Sequence, residues 1–408
     1  MNTFSEFSET DPIAPRGDEV ASPPRWIGCV VGLSSGIFAV SMGMVVNALG
    51  NSRTSLDLVG SSFIDRTPLW LKEQAIQTFG TNNKTALEVG MIGVLILASG
   101  VLGLLSRKSL TPLQIGIVAF GILGAASAFE HVGAGFISVI APLCGVVAGL
   151  FAAQRLHGYL TTQRKLSRTP QQSRVPLGWD RRSFIRTVGA LGALSGGGVL
   201  FGRSREQARV QQLQDLTQTP LPPLATSNIP VAAITDFHPT DPYITPNDNF
   251  YRIDTALSFP RVDRAKWKLR IHGLVEREKL FSLDDLQALP QVERIITLCC
   301  VSNEVGGPYI GNAVWRGVLL KDVLESCGIK KDAEQVFTTS LDGWTSGFPV
   351  SAALDGRDAL IAIGMNGQSL PLMHGYPARL VVPGLYGYVS ATKWLSEINI
   401  TTWSEEQG

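Results

Sequence analysis

The stretch Thr297 to Leu320, TLCCVSNEVGGPYIGNAVWRGVLL, sets two cysteines side by side and follows them with Asn303 and the glycines Gly306, Gly307 and Gly311. Successive side chains of a strand face opposite ways, so Cys299 and Cys300 cannot both address one partner. One can ligate a soft metal as a thiolate while the other packs, or both can be plain buried cysteines. The chain holds five cysteines, an odd number without zinc-finger spacing, which argues against a disulfide framework and against structural zinc. A vicinal Cys299–Cys300 disulfide is disfavoured by the geometry such bonds require. The nearby glycines permit tight turns and close backbone approach, with Gly317 reading equally well as loop punctuation and Trp315 as a core residue.

Other segments carry polar groups of a type that binds anions and amide-like ligands. NDNFYRID holds Asp248, Phe250, Tyr251 and Arg252, TTSLDGW holds Ser340, HGYPARLVVPG holds His374 and Arg379, and YVSATKW holds Ser390, Thr392 and Lys393. Taken singly, an Arg before an apolar strand is a surface charge and a lone His a satisfied core residue.

Taken together, the motifs from NDNFYRID to GYVSATKWLSEINI resemble the molybdopterin-binding domain of the sulfite oxidase family, which includes the molybdenum-type periplasmic methionine sulfoxide reductases. The family pattern Thr-Leu-X-Cys-X-X-Asn falls on Thr297, Leu298, Cys300 and Asn303. The resemblance implies that Cys300 is the thiolate ligand of molybdenum and that Cys299 faces the core. It carries Asp248, Phe250, Tyr251, Arg252, Asn303, Ser340, His374, Arg379, Ser390, Thr392 and Lys393 to the molybdenum-molybdopterin cofactor, although the family often has Asn where Asp248 stands. The implied activity is oxygen-atom transfer or a related two-electron step on a small molecule, the metal passing between Mo(VI) and Mo(IV). No haem, flavin or iron–sulfur motif is visible, so a quinone or a cytochrome is expected as electron partner.

The substrate is less determined. Arg252, Arg316 and Arg357 are candidate anion contacts by position alone. The sequence ends at Gly408, directly after the cofactor domain and without the immunoglobulin-like dimerisation domain of sulfite oxidases, which leans towards reduction of an S-oxide or N-oxide. Sulfite-oxidase-like oxidation of a sulfur compound and a non-catalytic membrane scaffold are the alternative readings.

These residues must be positioned by a mixed-sheet α+β domain, expected over residues 236–408. KWKLRIHGLV, ERIITLCCV, QVFTTSLDGW and ARLVVPG read as strands, SLDDLQAL as a helix capped by Ser282, and LLKDVLESCGI as an amphipathic helix ending at Gly328. The first half of the chain differs in kind. Its apolar runs Trp26 to Leu49, Ala86 to Leu105, Leu113 to Phe129, Phe136 to Ala153 and Phe184 to Phe201 predict an all-α bundle of about five transmembrane helices. The expected division is a cytoplasmic tail over 1–25, a membrane domain over 26–203, an extracytoplasmic linker over 204–235, and the cofactor domain. Arg155 to Arg186 is rich in arginine and the second-to-third loop holds Arg107 and Lys108, which sets both inside and the C-terminal domain outside a cytoplasmic membrane. WDRRSFIRTVGALGALSGGG, with Arg181 and Arg182, looks like an internal twin-arginine export signal or an ordinary positive-inside cluster. His131 and His157, each just past a span on opposite faces, cannot share one haem. A formal net charge of +1 gives no bias towards nucleic acid.

Overall fold

The computed structural model describes residues 24–79, 82–107, 109–131, 134–166, 181–217, 220–224 and 242–406. The tail ahead of Pro24, the basic segment 167–180 and most of the expected linker lie outside them.

Seven helices make the N-terminal half: α1 Arg25–Leu49, α2 Ser55–Arg66, α3 Leu69–Phe79, α4 Asn83–Leu105, α5 Thr111–Glu130, α6 Gly135–Leu166 and α7 Arg181–Thr217. Five of them, α1 and α4 to α7, are long and apolar enough to cross a bilayer. Their outward residues stay apolar: Leu97, Leu105, Ile115, Phe129, Phe136, Val147 and Leu200 are all more than half exposed. Glycine allows the tightest crossing. Gly28, Gly32 and Gly36 recur every four residues along α1 and bring it onto Ser99 and Gly103 of α4, where a Cβ on Gly32 would lie 2.0 Å from Ser99 O.

The first connection is not a plain loop, since Thr54 caps α2 and α3 follows it. His157 lies within α6 rather than beyond it, because the helix continues through a polar stretch to Leu166. It is roughly 33 Å along the axis from Gly135, while His131, after α5, donates from Nδ1 to Ser127 O. The polar run from Ser204 to Thr217 continues α7 without a break.

The C-terminal half is built on two five-stranded sheets. The first runs β2 (Lys279–Phe281), β1 (Leu269–Gly273), β10 (Leu395–Thr401), β5 (Gln335–Ser340) and β6 (Thr345–Pro349), with β1 and β10 parallel and the other pairs antiparallel. The second is antiparallel: β3 (Val292–Cys299), β4 (Ile310–Leu319), β7 (Leu360–Met365) and β8 (Gln368–Ser369), with β9 (Arg379–Val381) also on β7. Short helices α8 (Leu283–Ala288), α9 (Leu320–Cys327), α10 (Val350–Leu354) and α11 (Gly387–Ser390) connect them. Ser282 and Asp285 form a capping box on α8, and Gly328, at φ +73°, ends α9. The expected strands and helices of this half are therefore present.

One end of the helical bundle meets this domain. Arg261 donates to Asn51 Oδ1 (3.1 Å) and Ser52 O (2.9 Å) just after α1 and pairs with Glu206 of α7 (2.7 Å).

Candidate cofactor site

Cys300 stands just past the end of β3. Ile296 and Leu298 are buried and Thr297 is exposed, so the alternation of the strand leaves Cys300 buried and Cys299 half-buried. This corrects the expectation that Cys299 faces the core, since the period of two gives the inner face to Cys300. Both thiols are free. Cys300 Sγ lies 3.1 Å from Ser302 Oγ. The chain then turns back into β4 through a clamp: Cys300 N–H donates to Tyr309 O (2.9 Å), Asn303 N–H to Cys300 O (3.0 Å), and Tyr309 N–H to Asn303 Oδ1 (2.7 Å). The carboxamide oxygen of Asn303 thus fixes the loop that presents the cysteine.

The segment before β1 supplies one wall. Phe250 is buried, stacked on Tyr251 (5.1 Å) and edge-on to Trp315 and His374. Its ring occupies the space where Gly311 lacks a side chain. Burial pushes the Tyr251 phenol up to about 12, with the nearby Cys300 and Cys299 adding and Arg379 opposing. A Cβ on Gly387, at the start of α11, would lie 3.4 Å from Tyr251 Oη and 3.8 Å from Cys299 O, so α11 closes over this wall.

The other wall is cationic. Arg379 is buried, donates to His374 O (3.0 Å) and Ala391 O (3.2 Å), and lies over the Trp315 ring at 4.9 Å. Its hydrogen bonds go to backbone carbonyls, among the described residues it pairs with no carboxylate, and burial lowers its pKa to about 10. Lys393 and Arg252 both bond Asp254 Oδ2, the latter at 2.9 Å through Nε. Burial takes Lys393 down to about 8 against the pull of Asp254. For Asp254, burial alone would raise the carboxyl, but Lys393, Lys84 and Arg252 together outweigh it and hold it far below the usual carboxylate range. His374 Nε2 lies 2.8 Å from Asn247 O and so carries the proton there. Burial, reinforced by Arg379, Lys393 and Arg252, lowers the imidazole to about 4, so it is neutral at pH 7.

The remaining candidates take varied places. Ser340 is buried at the end of β5, its hydroxyl accepting from Asp342 N–H (3.4 Å). Thr392 is locked in a buried hydroxyl triangle with Thr338 and Ser346, each 2.7 Å away. Ser390 donates to Tyr386 O (3.0 Å) within α11. Asp248 is exposed and makes no contact with the cluster; its neighbour Asn247 holds His374 instead. Arg316 is tied to Gln291 and Pro222 O near the far end of β4, and Arg357 to Asp355 and Pro383 O. Asp254 and Lys84 were missed by sequence reasoning, and no local pattern marks either one.

Residues 256–408 match the family model described as the oxidoreductase molybdopterin binding domain. The oxidoreductase YuiH of Bacillus subtilis is 37% identical over 139 residues, covering 34% of this chain and 67% of that protein. The chain belongs to this family. It is a molybdopterin-binding oxidoreductase of the sulfite oxidase type. The sulfite oxidase of Arabidopsis thaliana is 34% identical over 197 residues, 41% of this chain and 49% of that protein. The NADH nitrate reductase of Solanum lycopersicum is 28% identical over 174 residues, 36% of this chain and 19% of that protein. The chain therefore spans half or less of the length of these two relatives. Among solved structures, the sulfane dehydrogenase SoxCD of Paracoccus pantotrophus is 25% identical, with a TM-score of 0.37 over 45% of this chain and 50% of that one. The family match begins at Ala256, so the wall formed by Phe250 to Asp254 precedes it.

The family implies a molybdenum–molybdopterin cofactor, and the residues fit one. Three cations, Lys393, Arg252 and Lys84, converge on one buried carboxylate and Arg379 lies within electrostatic reach of Lys393, a surplus of positive charge that suits a phosphate-bearing ligand. Among the described residues no three His, Cys, Asp or Glu side chains gather to hold a metal ion. Cys300 is then suited to give one thiolate to a metal whose other ligands arrive with the cofactor.

Proposed function

We propose that this oxidoreductase is anchored in the cytoplasmic membrane by α1 and α4 to α7, and that its cofactor domain works at the outer face on a neutral S-oxide or N-oxide. The bound cofactor supplies two-electron oxygen-atom chemistry. The chain's own part is to offer the Cys300 thiolate, to hold the pterin between the Tyr251 wall and the His374 and Arg379 side, and to neutralise the phosphate with Arg379, Lys393 and Arg252. Neutral His374 serves as a hydrogen-bonding group rather than another cation. Asn303, Ser340, Ser390 and Thr392 shape the pocket; Asp248 is left to solvent.

The observation that favours a neutral substrate is the rim. Around the Cys300 loop and α11, Val301, Val305, Tyr386 and Tyr388 are exposed, while the candidate arginines are committed inward or elsewhere. An oxyanion calls for cations at the mouth, and of the exposed residues in the Cys300 loop, Val301, Ser302, Glu304 and Val305 among them, none is cationic. Electrons for the reduction would come from a quinone or a cytochrome. The arginine-rich 155–186 segment and Arg107 support the inside placement of the opposite end of the bundle, and Arg181 and Arg182 support export of a folded, cofactor-loaded domain by a twin-arginine route.

The test begins with the full chain expressed in a host that makes and exports the cofactor and purified in detergent, beside Cys300→Ser. Near one molybdenum per chain, with a changed Mo(V) resonance in the variant, is expected. Turnover is then followed with a reduced viologen dye against dialkyl sulfoxides and amine N-oxides, and with ferricyanide against sulfite. Sulfite oxidation faster than every oxide reduction would overturn the substrate reading, and exported protein without molybdenum would leave a scaffold.

A further inference from the structure

The helical bundle reaches the charge cluster of the cofactor pocket through the side chain of Lys84. Lys84, in the first turn of α4, donates to Asp254 Oδ1 and to Ala256 O (2.6 Å), with its side chain 28% exposed. A helix N-terminus favours an anion, and the first turn of α4 has no acidic residue of its own. The carboxylate that the Lys84 ammonium bonds comes from the cofactor domain. Asp254 is shared: Oδ1 accepts from Lys84 and, at 3.4 Å, from Arg252 Nη2, while Oδ2 accepts from Lys393 and Arg252 Nε. Asp342, in the turn after Ser340, also lies within electrostatic reach of Lys84.

We infer that Lys84 is a positioning residue of the molybdopterin pocket, holding Asp254 so that Lys393 and Arg252 keep their places beside the cofactor, and that the bundle is thus part of that pocket as well as an anchor. This rests on the cofactor reading above. With Lys84 gone, Oδ1 is free to shorten its 3.4 Å hydrogen bond with Arg252 Nη2, and the tightened bidentate pair would draw the guanidinium off the Phe259 ring, over which it lies at 4.4 Å. The cluster would lose both a positive charge and its arrangement. Arg261 provides the contrast, because it ties the same two halves together through Asn51, Ser52 and Glu206 without touching Asp254.

The experiment uses the full chain, cofactor-loaded and in detergent, as wild type, Lys84→Met, Lys84→Gln, Lys84→Arg and Arg261→Met. Molybdenum and pterin per chain are followed over timed dialysis, the Mo(V) resonance is recorded, and hydrogen exchange is measured over residues 250–256. Lys84→Met and Lys84→Gln are expected to lose cofactor about tenfold faster than wild type, the factor that 1.4 kcal/mol of lost interaction gives, with a shifted resonance. Lys84→Arg should restore both, and Arg261→Met should keep the wild-type cofactor behaviour while exchange at the junction rises. Wild-type retention and resonance in the two neutral variants would overturn the inference, as would equal cofactor loss in Arg261→Met, which would make Lys84 a docking contact only. Failure of the cofactor reading itself would be seen separately, as an unsubstituted chain without molybdenum.

Discussion

Asp254→Asn tests the electrostatics of the site most directly. The substitution is nearly isosteric and removes the one carboxylate on which Lys84, Arg252 and Lys393 converge. Its side chain is 5% exposed, so solvent does little to replace the lost charge. Removing one partner from a buried ionic cluster costs about 3–5 kcal/mol, because the remaining charges stay buried and unbalanced. With Tm moving by about 2–4 °C per kcal/mol in a domain of this size, the apoprotein should lose roughly 10 °C. The assay is thermal unfolding of the cofactor-free full chain by near-ultraviolet circular dichroism, with wild type alongside, over a pH series. The folded-state pKa of Asp254 is depressed, so its stabilisation is complete above the unfolded value of about 3.9 and is lost as pH falls towards the folded value. The gap between wild type and variant should therefore be largest near neutral pH, where Lys393 and Asp254 are both charged, and narrow below about pH 4. A fall of less than about 3 °C at neutral pH, or a gap that widens on acidification, would refute the reasoning.

Three further outcomes follow from the same geometry. His374 has its folded pKa lowered to about 4, so its contribution is complete above the unfolded value of about 6.5 and declines as pH falls towards 4; His374→Gln should flatten this limb of the stability profile, which in wild type slopes by at most about 1.4 kcal/mol per pH unit. Gly32→Leu should break the α1–α4 crossing, where even a Cβ would meet Ser99 O at 2.0 Å, at a cost of roughly 1–3 kcal/mol or more, read as earlier unfolding in detergent. Arg357→Ala should leave kcat and KM for the substrate within about twofold, since its guanidinium is occupied by Asp355 and Pro383 O; a large rise in KM would return it to the substrate site.

What the sequence carried well was local. The Ser282 cap, the helix end at Gly328, the strand leading to the two cysteines and the five long apolar runs are each set by a few neighbouring residues, and all appear as elements. Trp315 also fell where its size suggests, fully buried with its indole N–H donating to Ile296 O. The two cysteines show where local reading fails. Alternation guarantees that they face opposite ways, but which one faces inward depends on the register of β3 against β4, where Cys299 lies opposite Ile310. Arg316 fails for a related reason: a strand residue near Cys300 in sequence terms can sit at the distant end of the same sheet, and here β4 carries it opposite Glu293.

The cation cluster depends on contacts that no spacing rule can reveal. Asp254 meets Lys393 across 139 residues and Lys84 across 170, and each of the three, read alone, is an ordinary charged residue beside a turn or a helix start. Burial changes their meaning. An exposed Lys–Asp pair contributes little, whereas here one buried carboxylate faces three cations, and the hydrogen bonds of Arg379 go to backbone carbonyls. A fold that gathers such charge without neutralising it is less stable than one that pairs it, unless a ligand completes the balance. That imbalance, more than any single motif, connects the arrangement of the chain to a phosphate-bearing cofactor, and it is why the effect of removing Asp254 should shrink when the cofactor-loaded protein replaces the apoprotein in the same unfolding assay.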